Sequence, residues 1–360
     1  MSAPGGSRRA GIARARALRT EGLCTLVRPA VPDAPAFELA YNRPQPVPGS
    51  VPVVILPGGP GLCSALPYES ARKAAVRDHG LDVVMIEHRG VGLSRRDPTG
   101  TDLPSAITVT QAARDVVAVL DAEGIGRAVV TGSSYGTYLA QAVGALFPER
   151  VAGMVLDSTV LTAQDHHDVR RHARSTRALL RTLLTQETTA GLPYLMEFDL
   201  VGHLAFRELN YGPEPEGRIF DPALEMRETA RRFPAFEAEP FDFPSLLPGF
   251  AWPSAVISGE RDLRTPRPVA EQTVGLLPDG VLLPVPGLGH SALDIHRDLH
   301  LTAARAVRDG DHRSLPSRLP DLARRRPRGN GSRMIDKLVR AALLWDRARK
   351  IGARQPLPPR

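Results

Sequence analysis

Short apolar runs recur along the chain and alternate with segments whose apolar residues have helical spacing. The runs lie at 51–56, 81–86, 128–130, 151–156, 255–257 and 281–283. Between two of them, residues 111–122 place apolar side chains on one helical face and end before Gly124. Continuous apolar strands that alternate with helices are typical of a mostly parallel sheet with helices on both faces. We therefore predict an α/β fold, preceded by an antiparallel strand pair at 23–27 and 37–41.

The alternation stops between about residues 161 and 248, where charged and helix-forming residues are followed by Phe and Pro. We interpret 161–248 as a helical cap inserted into a core of residues 21–160 and 249–315. Residues 1–20 are predicted to be a disordered or fraying basic arm. Residues 316–360 are predicted to be a basic tail with an amphipathic helix, whose apolar side chains are Ile335, Leu338, Val339, Ala342 and Trp345. That helix is expected to pack on the protein, with a membrane-surface or partner helix as the alternative.

A G-x-S-x-G pattern, Gly132-Ser133-Ser134-Tyr135-Gly136, lies between an apolar run and a helix-like segment at 137–146. A serine on such a strand–turn–helix corner is held in a strained conformation that exposes its hydroxyl, and its neighbours must be small. The pattern predicts that Ser134 is a nucleophile, because both flanking positions are glycine.

A nucleophilic serine needs a base, and the base needs an orienting acid. In α/β hydrolases the chain order is serine, acid, histidine. Asp262 follows the run 255–257 and His290 follows the run 281–283, so both lie just beyond the carboxyl end of a strand, where open α/β sheets build their sites. We predict Asp262 as the acid and His290 as the base, with Asp157 as the rival acid.

The transition state of acyl transfer also needs hydrogen-bond donors for the developing oxyanion. One predicted donor is the backbone N–H of Tyr135, the residue after the nucleophile. The second is the N–H of Gly58 or Gly59, in the Gly-rich segment that follows the third strand. A phosphate-binding loop is disfavoured there, since Pro60 has no N–H and no G-K-[ST] follows.

Three motifs together resemble the prolyl aminopeptidase family of serine peptidases, which includes related tripeptidyl aminopeptidases. They are Pro57-Gly58-Gly59-Pro60-Gly61, Glu87-His88-Arg89-Gly90-Val91-Gly92-Leu93-Ser94 and the segment 132–140. The resemblance spans roughly residues 50–160 and 250–295. It implies an α/β-hydrolase fold with a helical cap and maps the family's catalytic residues onto Ser134, Asp262 and His290. Pro57 replaces the usual histidine of the first motif, and Glu87 replaces the usual aspartate of the second.

In the resembling family, acidic residues of the cap bind the substrate's free amino group. The resemblance offers Glu197 and Glu208 as candidates, because they lie in the most apolar part of the cap, 194–211. The alternative for each is an ordinary solvated charge on a helix surface.

Composition and charge limit the functional classes to which the protein can belong. The chain has 360 residues, 42% of them hydrophobic, and a net charge of +7. Nucleic-acid binding is not expected, since the positive charge is scattered arginine with Lys73, Lys337 and Lys350 as the only lysines. Cys24 and Cys63 do not make a disulfide framework. Without an apolar signal region or an apolar run of membrane-spanning length, we expect a cytoplasmic protein.

The residues predict no cofactor. His166, His167, Asp168 and His172 cluster at the start of the cap, but their spacing fits no known metal motif and favours a solvated helix. The residues therefore indicate a cofactor-independent serine hydrolase, and the resemblance implies one that releases N-terminal residues from peptides, with proline as a candidate residue. An esterase with the same triad is the first alternative. A non-catalytic relative that only binds its ligand is the second.

Overall fold

The computed structural model of this chain describes residues 15–32, 34, 36–58, 64–65, 68–89, 92–94, 108–162, 241–260, 262, 265 and 267–325. These residues form an eight-stranded sheet with the strand order β1-β2-β4-β3-β5-β6-β7-β8. The strands are β1 Leu23–Arg28, β2 Phe37–Asn42, β3 Val53–Leu56, β4 Val83–Ile86, β5 Ala128–Ser133, β6 Val151–Asp157, β7 Ser254–Gly259 and β8 Gly280–Val285. β1 and β2 pair antiparallel, as does β2 with β4, and the other neighbours are parallel. The predicted, mostly parallel sheet is confirmed.

Eight α-helices lie entirely within the described ranges, and residues 15–17 are also helical. The eight helices are α1 Glu69–His79, α2 Val109–Ala122, α3 Tyr135–Leu146, α4 Phe243–Leu246, α5 Arg267–Leu276, α6 Ala292–Ile295, α7 Arg297–Arg308 and α8 Leu315–Arg324. The predicted helix at 111–122 begins two residues earlier, because Thr108 caps it by accepting a hydrogen bond from the N–H of Gln111 at 3.1 Å.

Two hydrophobic clusters cover the two faces of the sheet. Side chains alternate across a strand, so Val54 and Leu56 of β3 enter one cluster while Val53 and Ile55 enter the other. The first cluster contains residues of α2, α3 and the 243–252 segment, and the second contains residues of α1, α7 and α8. Helices on both faces leave the central strands β3, β4, β5 and β7 fully buried, which explains their apolar sequences.

The register of the parallel strands aligns their carboxyl ends at one edge of the sheet. Ser133 of β5 lies opposite Asp157 of β6, and Asp157 lies opposite Ile257 of β7. The ends of β7 and β8 are aligned in the same way, with Gly259 opposite Val285. The segments that leave these strands therefore begin side by side, and they carry all three predicted catalytic residues.

The end of the predicted basic arm contacts the sheet. Ala17 is fully buried, and the Thr20 hydroxyl donates to the Ala17 carbonyl at 2.7 Å. The Asn42 amide of β2 donates to the same hydroxyl at 3.0 Å. The second of these hydrogen bonds connects the segment to β2; residues 1–14 lie outside the described ranges.

The predicted cap lies outside the described residues, except for 161–162 and 241–248. The predicted tail begins within α8, whose Leu315, Leu319 and Leu322 belong to the second hydrophobic cluster. The amphipathic segment 335–345 also lies outside the described residues.

Candidate active site

Ser134 occupies a tight corner between β5, which ends at Ser133, and α3, which begins at Tyr135. Its backbone has φ 52° and ψ −118°, a conformation that side-chain-bearing residues rarely adopt. The corner is held by hydrogen bonds on both sides. The Ser134 N–H donates to the Asp157 carbonyl at 2.9 Å, and the Thr137 hydroxyl donates to the Ser134 carbonyl at 2.6 Å. The predicted strand–turn–helix context of Ser134 is thus present.

The two glycines of the corner leave no space for a side chain. A Cβ at position 132 would lie 2.1 Å from the Gly136 carbonyl oxygen. One at position 136 would lie 2.0 Å from the Leu56 carbonyl oxygen. Both contacts are with backbone, which cannot move aside without separating α3 from the sheet. The glycines of the G-x-S-x-G pattern are therefore required by close packing.

Asp262 and His290 form a buried pair. The Nδ1 atom of His290 lies 2.9 Å from one carboxylate oxygen of Asp262 and 3.1 Å from the other. Both residues are at most 3% exposed. Thr265 also binds the carboxylate, through its backbone N–H at 3.0 Å and its hydroxyl at 2.8 Å. The structure therefore brings together two residues that are 28 positions apart in sequence.

The charge state of Asp262 follows from its partners. Burial favours the protonated form, but the charge of His290 and hydrogen bonds from His290, Thr265 and Ser158 outweigh it, so the pKa of Asp262 is lowered from its usual value. Asp262 is consequently ionised at neutral pH. An ionised, fixed carboxylate can hold the imidazole in one orientation and stabilise its protonated form.

Asp157, the rival acid, is engaged elsewhere. Its two carboxylate oxygens accept the backbone N–H groups of Ala292, at 2.9 Å, and Leu293, at 2.8 Å. One of them also lies 3.1 Å from Nδ1 of His300, whose other ring nitrogen contacts the Thr131 hydroxyl at 3.3 Å. Asp157 thus anchors the first turn of α6, which begins two residues after His290. The described contacts include no hydrogen bond between Asp157 and His290.

The predicted oxyanion donors are partly described. Tyr135 is the first residue of α3, so its N–H belongs to the first turn of a helix, where backbone donors are unused by the helix itself. Gly58 lies next to Ser134, since a Cβ added at position 58 would be 3.1 Å from the Ser134 Cβ. Gly59 lies outside the described residues.

His88 anchors the start of this Gly-rich segment. Burial lowers the pKa of His88 to about 4, so the ring is neutral, and it hydrogen-bonds the Pro57 carbonyl. The same ring packs edge-on against Tyr135 at 5.5 Å between centroids. Pro57 occupies the position at which the resembling family has a histidine. In this chain His88, two residues after the end of β4, binds the Pro57 carbonyl instead.

Several other predicted residues lie outside the described ranges, namely Glu197, Glu208, His166, His167, Asp168, His172 and Cys63. Among the residues that are described, no group of three or more His, Cys, Asp or Glu side chains could hold a metal ion. None of the helices in the described ranges is long and apolar enough to cross a membrane.

The structure also shows contacts that sequence reasoning missed. The Ser133 hydroxyl donates to the Ser291 hydroxyl at 2.7 Å, joining the residue before Ser134 to the residue after His290. Ser158 contacts both Asp262 and the backbone of Ser291. The S-x-x-D spacing of Ser291 and Asp294 is a capping-box pattern that marks the start of α6 in the sequence. Ser158 carries no such signal.

A family comparison agrees with this architecture. The family model described as the alpha/beta hydrolase fold matches residues 51–296, which include all the strands from β3 onward and the three predicted catalytic residues. The chain belongs to the alpha/beta hydrolase family.

Curated relatives of this family member match over limited lengths. The polyketide synthase ThaQ of Burkholderia thailandensis is 27% identical over 310 residues, which cover 77% of this chain and 14% of ThaQ. A proline iminopeptidase of Neisseria meningitidis is 34% identical over 109 residues, which cover 30% of this chain and 33% of the iminopeptidase. The chain thus matches only a minor part of each of these proteins.

Solved structures share the fold over most of the chain. An esterase from Thermogutta terrifontis superimposes with a TM-score of 0.55 at 22% identity, covering 81% of this chain and 99% of the esterase. The esterase RhEst1 from Rhodococcus sp. ECU1013 superimposes with a TM-score of 0.57 at 19% identity, covering 80% of this chain and 98% of RhEst1. At such identities the likeness establishes the fold alone.

Proposed function

We propose that this alpha/beta hydrolase is a serine hydrolase that transfers an acyl group from its substrate to Ser134 and then to water. The observation that carries the proposal is the buried Asp262–His290 pair, with Nδ1 and a carboxylate oxygen 2.9 Å apart, in loops beside the strained corner of Ser134. A nucleophile, a base and an orienting acid are the side chains that serine-dependent acyl transfer uses.

In the first step the Ser134 hydroxyl attacks the substrate carbonyl. Because Nδ1 of His290 is bonded to Asp262, Nε2 is the nitrogen that takes the Ser134 proton. Asp262 stays ionised and stabilises the resulting imidazolium, in keeping with its lowered pKa. The carbonyl oxygen becomes an oxyanion that accepts hydrogen bonds from the N–H of Tyr135 and from that of Gly58 or Gly59.

The tetrahedral intermediate collapses when His290 returns its proton to the leaving group. The acyl group is then an ester on Ser134. A water molecule, deprotonated by His290, attacks this ester, and the same donors hold the second oxyanion. The acid product leaves and His290 returns the proton to Ser134, so the cycle needs no cofactor.

The proposed substrates are peptides with a free N-terminus, among them peptides that begin with proline. Two findings support this choice over other acyl compounds. The three motifs around Gly58, Glu87 and Ser134 resemble those of prolyl aminopeptidases, and the Neisseria protein matched at 34% identity is a proline iminopeptidase. An esterase with the same catalytic residues is the competing assignment, and a non-catalytic binding protein is the third.

A matched substrate panel separates these three. Prolyl and alanyl p-nitroanilides, their N-acetylated forms and p-nitrophenyl butyrate are assayed with the wild type and with Ser134→Ala. An aminopeptidase cleaves the free-amine anilides and loses this activity on N-acetylation, whereas an esterase cleaves the butyrate and ignores the amine. Absence of turnover on every substrate, equal to that of Ser134→Ala, supports the non-catalytic alternative.

A further inference from the structure

Backbone strain in the described residues is concentrated at the candidate active site. The non-glycine residues with positive φ are Ser134 at 52°, Ser158 at 58° and Ser291 at 69°. Residues with a side chain rarely adopt such conformations, which persist only where surrounding contacts enforce them. The nucleophile corner accounts for Ser134. The other two serines follow β6 and His290, and the catalytic steps described above do not use them.

Ser158 connects the acid to the loop that carries the base. Its hydroxyl oxygen accepts the backbone N–H of Ser291 at 2.8 Å, and the same hydroxyl helps to lower the pKa of Asp262. Its own N–H donates to the Ile257 carbonyl of β7 at 2.9 Å. One small side chain, 1% exposed, thus ties together the ends of β6, β7 and the His290 loop.

Ser291 extends this connection to the nucleophile corner. Its hydroxyl accepts a hydrogen bond from Ser133 at 2.7 Å and caps α6 by accepting the N–H of Asp294. Ser133, Ser158 and Ser291 therefore form a serine bridge that links the segments of Ser134, Asp262 and His290. Asp157 supports the same loop from the other side through the N–H groups of Ala292 and Leu293.

We propose that Ser158 is a positioning residue for the Asp262–His290 pair. It holds the Asp262 carboxylate and the backbone beside His290 in one fixed relation, so that the imidazole stays aligned with Ser134. Thr265 and His290 still bind the Asp262 carboxylate when Ser158 is replaced, so Asp262 stays in place. The replacement removes only the contact between Ser158 and the His290 loop. This inference rests on the proposed acyl transfer at Ser134, but it is independent of the substrate.

The test replaces Ser158 by glycine. Glycine adopts φ near 58° without strain, so Ser158→Gly removes the hydroxyl and keeps the backbone path. Ser158→Ala keeps the Cβ and serves as the second variant if the glycine protein does not fold. The matched control is Ser258→Ala, since the buried Ser258 hydroxyl on β7 has no hydrogen-bond partner among the described residues.

The readout is the second-order rate constant for labelling of Ser134 by a fluorophosphonate, measured as a function of pH. We expect Ser158→Gly to react about 10- to 100-fold more slowly, because the loop that carries His290 loses a hydrogen bond, with full final labelling stoichiometry. The acid limb of the profile, which reports His290, should move to lower pH, because a misaligned carboxylate stabilises the imidazolium less. Ser258→Ala should match the wild type.

Other outcomes overturn the inference. If Ser158→Gly leaves the labelling rate of Ser134 unchanged, Ser158 does not position the catalytic pair. If it lowers the melting temperature while folded protein is labelled at the normal rate, Ser158 contributes only to stability. A shift of the acid limb to higher pH means that the hydroxyl only competes with His290 for the carboxylate. Failure of the wild type to react at all overturns the proposed function instead, so the two failures are distinguishable.

Discussion

At the scale of single residues, two buried aspartates lie at the ends of neighbouring strands and serve different partners. Asp262 binds the ring of His290 at 2.9 Å, whereas Asp157 binds two backbone N–H groups of α6 and the ring of His300. The difference is one of geometry, since both carboxylates are buried. Asp262 is placed to orient the base, and Asp157 to hold the backbone that follows it.

Substitution of each aspartate by asparagine should separate these roles. Asp262→Asn is expected to lower kcat about 10⁴-fold by favouring the wrong imidazole tautomer, with little change in stability. Asp157→Asn should instead lower the free energy of unfolding by about 1–3 kcal/mol, because a charged acceptor of two N–H groups is lost. Steady-state kinetics and urea unfolding on both variants measure this. The assignment is wrong if Asp157→Asn alone abolishes activity.

The residues that we propose to carry the chemistry could be predicted because each follows a recognisable sequence pattern. Ser134 lies within a glycine-framed pattern, and Asp262 and His290 follow apolar runs in the order expected of the fold. Ser158 could not be predicted, since a serine beside Asp157 has no pattern of its own. Its importance depends on a backbone conformation and on partners more than 100 positions away.

At the scale of elements, a buried pair of charged residues holds the segment that follows the Gly-rich loop. Glu87, at the end of β4, accepts the N–H groups of Ser64 and Ala65 at 3.0 Å each. Arg72 of α1 donates to the carbonyl groups of the same two residues. Burial raises the pKa of Glu87 to about 7, although the two N–H groups and Arg72 favour its charged form.

This raised pKa gives a pH dependence of stability with a defined sign. Between its usual value of 4.5 and about 7, the folded protein retains a proton on Glu87 that the unfolded chain has lost. The contribution of Glu87 to stability is therefore fully present below about pH 4.5 and is lost as the pH rises to about 7. His88 acts oppositely, because its pKa is lowered to about 4, so a variant is needed to isolate Glu87.

Glu87→Gln should remove this dependence. The free energy of unfolding of the wild type, relative to Glu87→Gln, should fall by about 2–3 kcal/mol between pH 5 and pH 8. Urea unfolding of both proteins at several pH values gives this difference, in which the contribution of His88 cancels. A difference that stays constant or rises with pH would show that Glu87 is ionised throughout.

The elements themselves were more predictable than these contacts. Each apolar run became a strand, but hydrogen-bonded pairing set the ends, so β5 continues to Ser133 beyond its apolar part and β3 begins only at Val53. α8 escaped prediction because it contains Pro316 and an internal Pro320, which usually interrupt a helix. The Glu87–Ser64 contact joins residues 23 positions apart, and no local sequence pattern predicts it.

At the scale of the whole molecule, the core and the cap contribute different parts of the proposed function. The core is covered by helices on both faces and places the loops of Ser134, Asp262 and His290 at one edge of the sheet. The sequence predicted this part because alternating strands and helices carry a strong pattern. The cap has no comparable pattern, and Glu197 and Glu208 lie outside the described residues.

Recognition of a substrate amino group by the cap remains testable. If Glu197 or Glu208 binds the ammonium group, its replacement by glutamine should raise KM by about one to two orders of magnitude, as expected for a lost charged hydrogen bond. The rate of fluorophosphonate labelling should not change, because the probe has no amino group. Unchanged KM values for free-amine substrates in both variants would exclude these two glutamates.

The nucleophile is the claim on which the whole account depends, and covalent labelling tests it most directly. Wild-type protein treated with a fluorophosphonate and digested for mass spectrometry should carry one equivalent of label on Ser134. Ser134→Ala should remain folded and unlabelled, with kcat reduced about 10⁴- to 10⁶-fold, while Ser133→Ala should still be labelled. Label on Ser133, or labelling that survives in Ser134→Ala, would contradict the assignment of Ser134 as the nucleophile.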